Sequence, residues 1–253
     1  MEFFIWVQKI WQLYWPAFVK GAGTTLLLSI TGTVIGFVIG LFCGVIKTIP
    51  IAENDNVVKK VVLKVVNVVI SVYVEIFRGT PMMVQAMVIF YGTATITGIT
   101  LNRIVAGIVI VSINTGAYMS EIVRGGITSI DKGQFEGAQA IGMTHWQTMR
   151  CVVIPQVIRN ILPATGNEFV INIKDTSVLN VISVTELFFQ SKSAAGAYFK
   201  YFETFLITSV IYFILTFTVT RILRFAEKKL DGADSYELNI DEDDGALTAK
   251  EGN

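Results

Sequence analysis

The sequence predicts an all-α integral membrane protein of five transmembrane helices, with the N-terminus outside and the C-terminus inside. Three observations predict it. Of 253 residues, 53% are hydrophobic and 16% charged, and mean hydropathy is +0.59; an ordinary soluble domain carries roughly 25% charged residues. Apolar runs long enough to cross a bilayer, about 20 residues each, recur along the chain. Lys and Arg concentrate in alternate connections between those runs, which orients them.

Residues 1–22 are aromatic-rich, with Phe3, Phe4, Trp6, Trp11, Tyr14 and Trp15, and Lys9 and Lys20 interrupt them. A cleaved signal needs a basic start, an unbroken apolar centre and a small-residue cleavage site. This segment reads instead as an interfacial piece on the outer side, because Trp and Tyr favour the headgroup level. The membrane domain follows over residues 23–228. Its first span, 23–46, carries Gly32, Gly36, Gly40 and Gly44. That four-residue repeat lines one ridge of a helix and lets another backbone approach closely; the partner, in this chain or a second copy, stays open. The second apolar run, 60–97, is too long for one plain span and is broken by Arg78-Gly79-Thr80-Pro81. The remaining spans are 103–123, 161–188 and 203–226. Residues 229–253 contain Asp231, Asp234, Glu237, Asp241, Glu242, Asp243 and Asp244. Such an acidic, aromatic-poor stretch buries too little apolar surface to order itself.

With the N-terminus outside, the inner segments hold Lys47, Lys59, Lys60, Lys64, Arg124, Lys132, Arg150, Arg159, Arg221, Arg224, Lys228 and Lys229. The outer segments hold Lys9, Lys20, Arg103, Lys192 and Lys200. Excess positive charge belongs on the cytoplasmic side, so the polar stretch at 130–158, between the third and fourth spans, is cytoplasmic. Formal net charge is zero, which gives no reason to expect a nucleic-acid partner. One His and two Cys, Cys43 and Cys151, supply neither a metal cluster nor a disulfide framework.

The 130–158 stretch has its own logic. Gln134 to Met143 is made of helix formers, with Ala138 and Ala140 small enough to pack. Gly142 permits a turn that other residues resist. His145 to Val153 forms a second short helix with Trp146, Met149, Val152 and Val153 as its apolar positions, and Pro155 restricts its exit. Two short helices bent at a glycine make a compact knob that can transmit force.

The spacing Glu136-Gly137-Ala138, three residues, Gly142, nine residues, then Val152-Val153-Ile154-Pro155 resembles the EAA loop of bacterial ATP-binding-cassette importer permeases. Three further stretches are similar to the polar amino acid branch of that family (the histidine, glutamine, arginine and cystine type). They are Tyr73-x-Glu75-x-Phe77-Arg78-Gly79-Thr80-Pro81, Ala117-Tyr118-x-x-Glu121-x-x-Arg124-Gly125-Gly126-Ile127, and Asn167-Glu168-Phe169 with Lys174-Asp175-Thr176-Ser177. Together they cover most of residues 20–226. Gly137 departs from the family's usual Ala, a change that loosens a helix by up to about 1 kcal/mol. The resemblance implies a transport subunit, not an enzyme: a multi-pass protein of the bacterial cytoplasmic membrane, paired with a second permease copy, identical or paralogous. It implies two ATPase subunits docked on the elbow through Glu136, Gly137, Ala138, Gly142 and Pro155, and an extracytoplasmic binding protein that delivers a polar amino acid. No Gly-x-x-x-x-Gly-Lys-Ser/Thr loop is present in this sequence. ATP and Mg²⁺ therefore belong to the partner ATPase, and this chain binds no cofactor of its own.

Ionisable residues within a span are costly and usually face a cavity or a partner. Glu168, Asn172 and Asp175 share one helical face and are candidates for the substrate path, with the carboxylates meeting a substrate cation. Glu75, Arg78, Thr80 and Asn114 are further candidates. The competing readings are mutual neutralisation of Lys174, Asp175, Glu75 and Arg78, a simple kink at Gly79-Thr80-Pro81, and polar glue between helices. Two carboxylates lean weakly toward a cationic amino acid. The functional alternatives are a gradient-driven transporter or channel, which needs no elbow, and a membrane enzyme, for which His145 is the only histidine.

Overall fold

The structure, a computed structural model, describes residues 2–52 and 55–230. The acidic tail from Asp231 onward lies outside the described residues. All regular structure among the described residues is helical.

Helix α1 runs from Glu2 to Lys47 without interruption at Pro16. The aromatic N-terminal segment is therefore the opening of the first long helix, with no break in secondary structure near residue 22. Helix α2, Val57–Gly79, starts on Asn56, whose Oδ1 accepts from the Val58 N–H at 3.1 Å. It ends at Thr80, extended at φ −123°, and Pro81 opens α3, Met82–Thr97. The chain breaks here because the residue before proline is pushed out of the helical region. Gly98, at φ 71°, closes α3. Helix α4, Arg103–Thr128, is capped by Asn102. The elbow helices α5, Lys132–Ala140, and α6, His145–Thr148, follow. Beyond them come α7, Ile154–Asp175, α8, Leu187–Tyr198, and α9, Tyr201–Leu230.

Two expectations are corrected. The second elbow helix does not stop before Pro155: α6 widens into a π turn, Met149–Val153, and continues into α7. The Ile154 N–H reaches back to the Met149 carbonyl, one residue further than in an α-helix. A proline has no N–H and its ring clashes with the carbonyl four residues earlier; a widened turn absorbs both. The run 161–188 is not one helix either. Its α-helical part ends at Asp175, tightens into a 3₁₀ helix over Thr176–Ile182, and turns at Ser183, φ 60°. Polar side chains take over backbone partners there: Thr176 Oγ1 donates to the Ile173 carbonyl at 3.1 Å and Asn180 Nδ2 to the Ser177 carbonyl at 2.8 Å. Glu186, fully buried, then caps α8. Its carboxylate accepts from the Phe188 and Phe189 N–H groups, both at 2.7 Å, and from the Tyr212 hydroxyl at 3.1 Å.

Among the described residues, α1, α4 and α9 are long and apolar enough to cross a bilayer, and Met82–Thr97 is a shorter apolar helix. Helices α1 and α4 form the largest interface. Gly32, Gly36, Gly40 and Gly44 lie against Val111, Thr115, Met119 and Val123 in turn. Both series ascend by four residues, so the two helices run parallel. A Cβ on Gly36 would sit 2.7 Å from Thr115 Cβ; only glycine permits this approach. A cluster of Val123, Ile127, Ile130, Met149, Val153, Val157 and Ile161 welds the end of α4 to the elbow and α7. A separate cluster of Ile10, Phe18, Leu187, Ala194 and Ile207 binds the start of α1 to α8 and α9.

Candidate functional site

The elbow is built by local caps. Asp131 Oδ1 accepts from the Gly133 N–H at 2.7 Å and starts α5. Gly142, at φ 81°, ends it: the Gly142 N–H donates to the Gln139 carbonyl at 2.9 Å and the Met143 N–H to the Ala138 carbonyl at 3.0 Å. That paired closure satisfies the last free carbonyls of the helix and needs a left-handed residue. Thr144 then opens α6 in a reciprocal box with Gln147. The turn between the two helices is thus held by hydrogen bonds from both sides. Ala138 and Met149 are buried, whereas Glu136 and Gly137 face outward, and a Cβ on Gly137 would meet nothing within 4 Å. Pro155 is also exposed, on the continuous helix beyond the π turn.

The tip of the elbow exposes two large apolar side chains, Ile141 at 78% and Trp146 at 69%. Ile141 was not singled out from sequence; an aliphatic residue beside the turn-forming Gly142, in a polar stretch, is the signal that marks it. An exposed apolar pair on a rigid, polar-flanked knob is the composition of a protein-docking surface.

The break between α2 and α3 is held by a residue that sequence reasoning missed. Gln85, nearly buried, donates through Nε2 to the Phe77 carbonyl at 2.9 Å, the Thr80 carbonyl at 2.8 Å and Thr80 Oγ1 at 2.9 Å. Asn114 Nδ2, on α4, donates to Gln85 Oε1 at 2.9 Å and to the Phe77 carbonyl at 3.3 Å. Thr80 and Asn114 are therefore the fastening of the break. A lone Gln in an apolar helix just past a proline is the signal that points to it. The fastened break leaves Arg78 exposed, its guanidinium 5.4 Å from the Tyr118 ring centroid.

Among the membrane charges, Arg78 and Asp175 both act electrostatically on Glu168. Arg78, at the end of α2, thus lies within electrostatic range of Glu168 on α7, and Asp175 follows Glu168 on the same helix; among the described residues no ion pair joins the three. Asp175 is exposed and Glu168 half-buried. Asn172 parts from them: it is buried, and its Nδ2 donates to Thr33 Oγ1 at 2.8 Å and Thr115 Oγ1 at 3.0 Å. It joins α7 to α1 and α4 at the glycine ridge. Glu75 lines a cleft of about 430 Å³ on α2 with Ile51, Lys64, Asn67 and Ser71. A last ionic knot ties the far ends of α1 and α4: Glu121 accepts from Lys47 Nζ at 2.8 Å and from Arg124 at 2.9 Å.

Comparison with known proteins gives the geometry a context. Residues 56–232 match the family described as binding-protein-dependent transport system inner membrane component. The glutamine transport system permease protein of Escherichia coli (strain K12) is 35% identical over 228 residues, covering 88% of this chain and 99% of that protein. The crystal structure of an amino acid ABC transporter with histidines contains a chain that is 37% identical with a TM-score of 0.75, covering 85% of this chain and 95% of that one. An inward-facing methionine ABC transporter, 20% identical with a TM-score of 0.66 over 87% of this chain and 96% of its own, shares the fold.

Proposed function

The chain belongs to the binding-protein-dependent transport system inner membrane component family, and on that premise we propose that it carries a polar amino acid across the membrane as the permease subunit of an ATP-driven importer. It is the membrane component of such a system and not the ATPase. Family membership displaces the gradient-driven and enzymatic alternatives. The observation that carries the mechanism is the elbow: a capped, rigid knob with Ile141 and Trp146 exposed at its tip, sharing one core with α4 and α7. A push on the tip moves both helices, because that core has no compliant layer.

The working assembly in this proposal is a pair of permeases on two cytoplasmic ATPase subunits, which hold ATP and Mg²⁺, with an extracytoplasmic binding protein supplying the amino acid. Each permease crosses a bacterial cytoplasmic membrane five times, with its N-terminus outside. The parallel run of α1 and α4 supports that count, since first and third spans of an alternating path point the same way. The substrate meets Arg78, Glu168 and Asp175. A guanidinium suits an α-carboxylate, and two carboxylates receive the α-ammonium and a polar or cationic side chain. The similarity to a glutamine permease and to an amino acid transporter solved with histidines supports a polar amino acid.

Uptake into vesicles holding the complete complex tests this reading. Glu168→Gln and Asp175→Asn are expected to raise KM about tenfold each, the worth of a lost charge-assisted hydrogen bond, with the complex still assembled. Unchanged KM in both variants refutes the charged site.

A further inference from the structure

Phe199 stands at the C-cap of α8 in the left-handed region, φ 55°. Glycine or asparagine ordinarily occupies that position, and a bulky side chain there is strained. The residue is 82% exposed, so packing within the chain does little to offset the strain. Phe4 and Phe202 nearby are 75% and 71% exposed. The rings connect: Phe3 lies 5.7 Å from Phe202, Tyr198 lies 5.6 Å from Trp6 and 6.3 Å from Tyr14. The first turns of α1, the end of α8 and the start of α9 thus form one aromatic rim.

Two ammonium groups converge on this rim. Lys9 Nζ is 4.6 Å from the Trp6 ring centroid and 5.5 Å from that of Tyr198; Lys200 Nζ is 5.1 Å from the same Trp6 ring. Lys200 reaches Glu203 at 3.7 Å, a long contact, and among the described residues Lys9 has no ion pair. Two ammonium groups therefore stand beside exposed apolar rings with one carboxylate, Glu203, between them, which leaves a net positive charge. Aromatic side chains of this kind settle at the headgroup level of a bilayer, and an ammonium group there is attracted to the phosphate of a lipid with net negative charge. The apolar flanks of α1 and α9 next to the rim, Ile5 and Leu13 on one side and Leu206 and Val210 on the other, are exposed as a bilayer-facing surface requires.

We propose that this rim is a binding site for an anionic phospholipid. Lys9 and Lys200 hold the phosphate against Trp6, and Phe4, Phe199 and Phe202 lie among the glycerol and upper acyl chain. Strain at Phe199 is retained because the bilayer, outside the chain, supplies its contacts. The site is separate from the elbow and from the Arg78 group, so it stands or falls independently of them.

The test uses the assembled complex, purified in neutral detergent, with phosphatidylglycerol or phosphatidylcholine titrated in and bound lipid counted by native mass spectrometry. Tighter binding of phosphatidylglycerol, weakened about fivefold by each of Lys9→Gln and Lys200→Gln and weakened by added salt in the unmodified chain, supports the site. Phe199→Gly is expected to raise thermal stability in detergent while lowering lipid retention. Equal binding of the two lipids overturns the proposal, as does indifference to both lysine changes and salt. Lysine variants that keep the lipid yet lose stimulation by the binding protein would overturn it too, and would make the rim a protein-docking surface.

Discussion

Gly40 shows what single residues decide here. A Cβ at this position would run into Met119 Cβ and the Met119 and Ser120 backbone, which cannot move aside without parting α1 from α4. Gly40→Ala is expected to cost about 1–3 kcal/mol, the range for overpacking, read as a lower melting temperature in detergent. Gly23→Ala serves as the control: nothing lies within 4 Å of its Cβ, so the change should stay within about 0.5 kcal/mol. Gln85→Ala leaves the Asn114 amide and the Phe77 and Thr80 carbonyls short of partners. That costs about 1–3 kcal/mol and frees the break, so KM should shift along with stability. The glycine repeat was legible because helical geometry alone creates the ridge, but the facing helix was not, since α4 supplies ordinary side chains with no matching period. The Gln85 clamp was hidden for a related reason: two of its partners, the Phe77 and Thr80 carbonyls, are backbone groups that carry no letter in the sequence. Helical spacing groups Asn172 with Glu168 and Asp175, but its burial and its bonds to Thr33 and Thr115 depend on packing that spacing does not carry.

At the scale of elements, the elbow is the clearest case of local chemistry determining shape. The turn at Gly142 was read from sequence, and the structure adds Asp131, Thr144 and Gln147 as the caps that hold the helices on either side of it. Pro155 was harder to place, because a proline can end a helix or be absorbed by a π turn, and the choice depends on the core that holds Val153 and Val157. Gly137 has no steric reason to be glycine. Gly137→Ala should stabilise α5 by up to about 1 kcal/mol and leave ATPase coupling intact, measured as unfolding temperature and turnover of the complex. Ile141→Asp should leave the fold unchanged, because that residue is 78% exposed, yet weaken capture of the ATPase by about tenfold; truncating exposed anchors at a docking surface commonly costs over 1 kcal/mol. The end of α7 was misjudged because apolar content continues past Asp175 while the helix does not, and hydropathy carries no information on 3₁₀ geometry.

For the whole molecule, direction is the central geometric claim. Helices α1 and α4 run parallel, and Lys47 and Arg124 lie at the end that carries the elbow. Cys151 is exposed there, whereas Cys43 is half-buried on α1. A membrane-impermeant maleimide should therefore label Cys151 in inside-out vesicles and spare it in right-side-out ones; the reverse pattern would invert the orientation. The all-helical, membrane-spanning character was legible because apolar content and span length are global properties of the chain, whereas the placing of Arg78 near Glu168 depends on helix packing. The measurement that bears most directly on the account is ATPase turnover of the reconstituted complex, with the binding protein and a panel of amino acids, for the unmodified chain and for Glu136→Ala. The account predicts stimulation by a polar amino acid that Glu136→Ala abolishes. Stimulation indifferent to Glu136→Ala, or a chain that associates with no ATPase, would contradict coupling through the elbow.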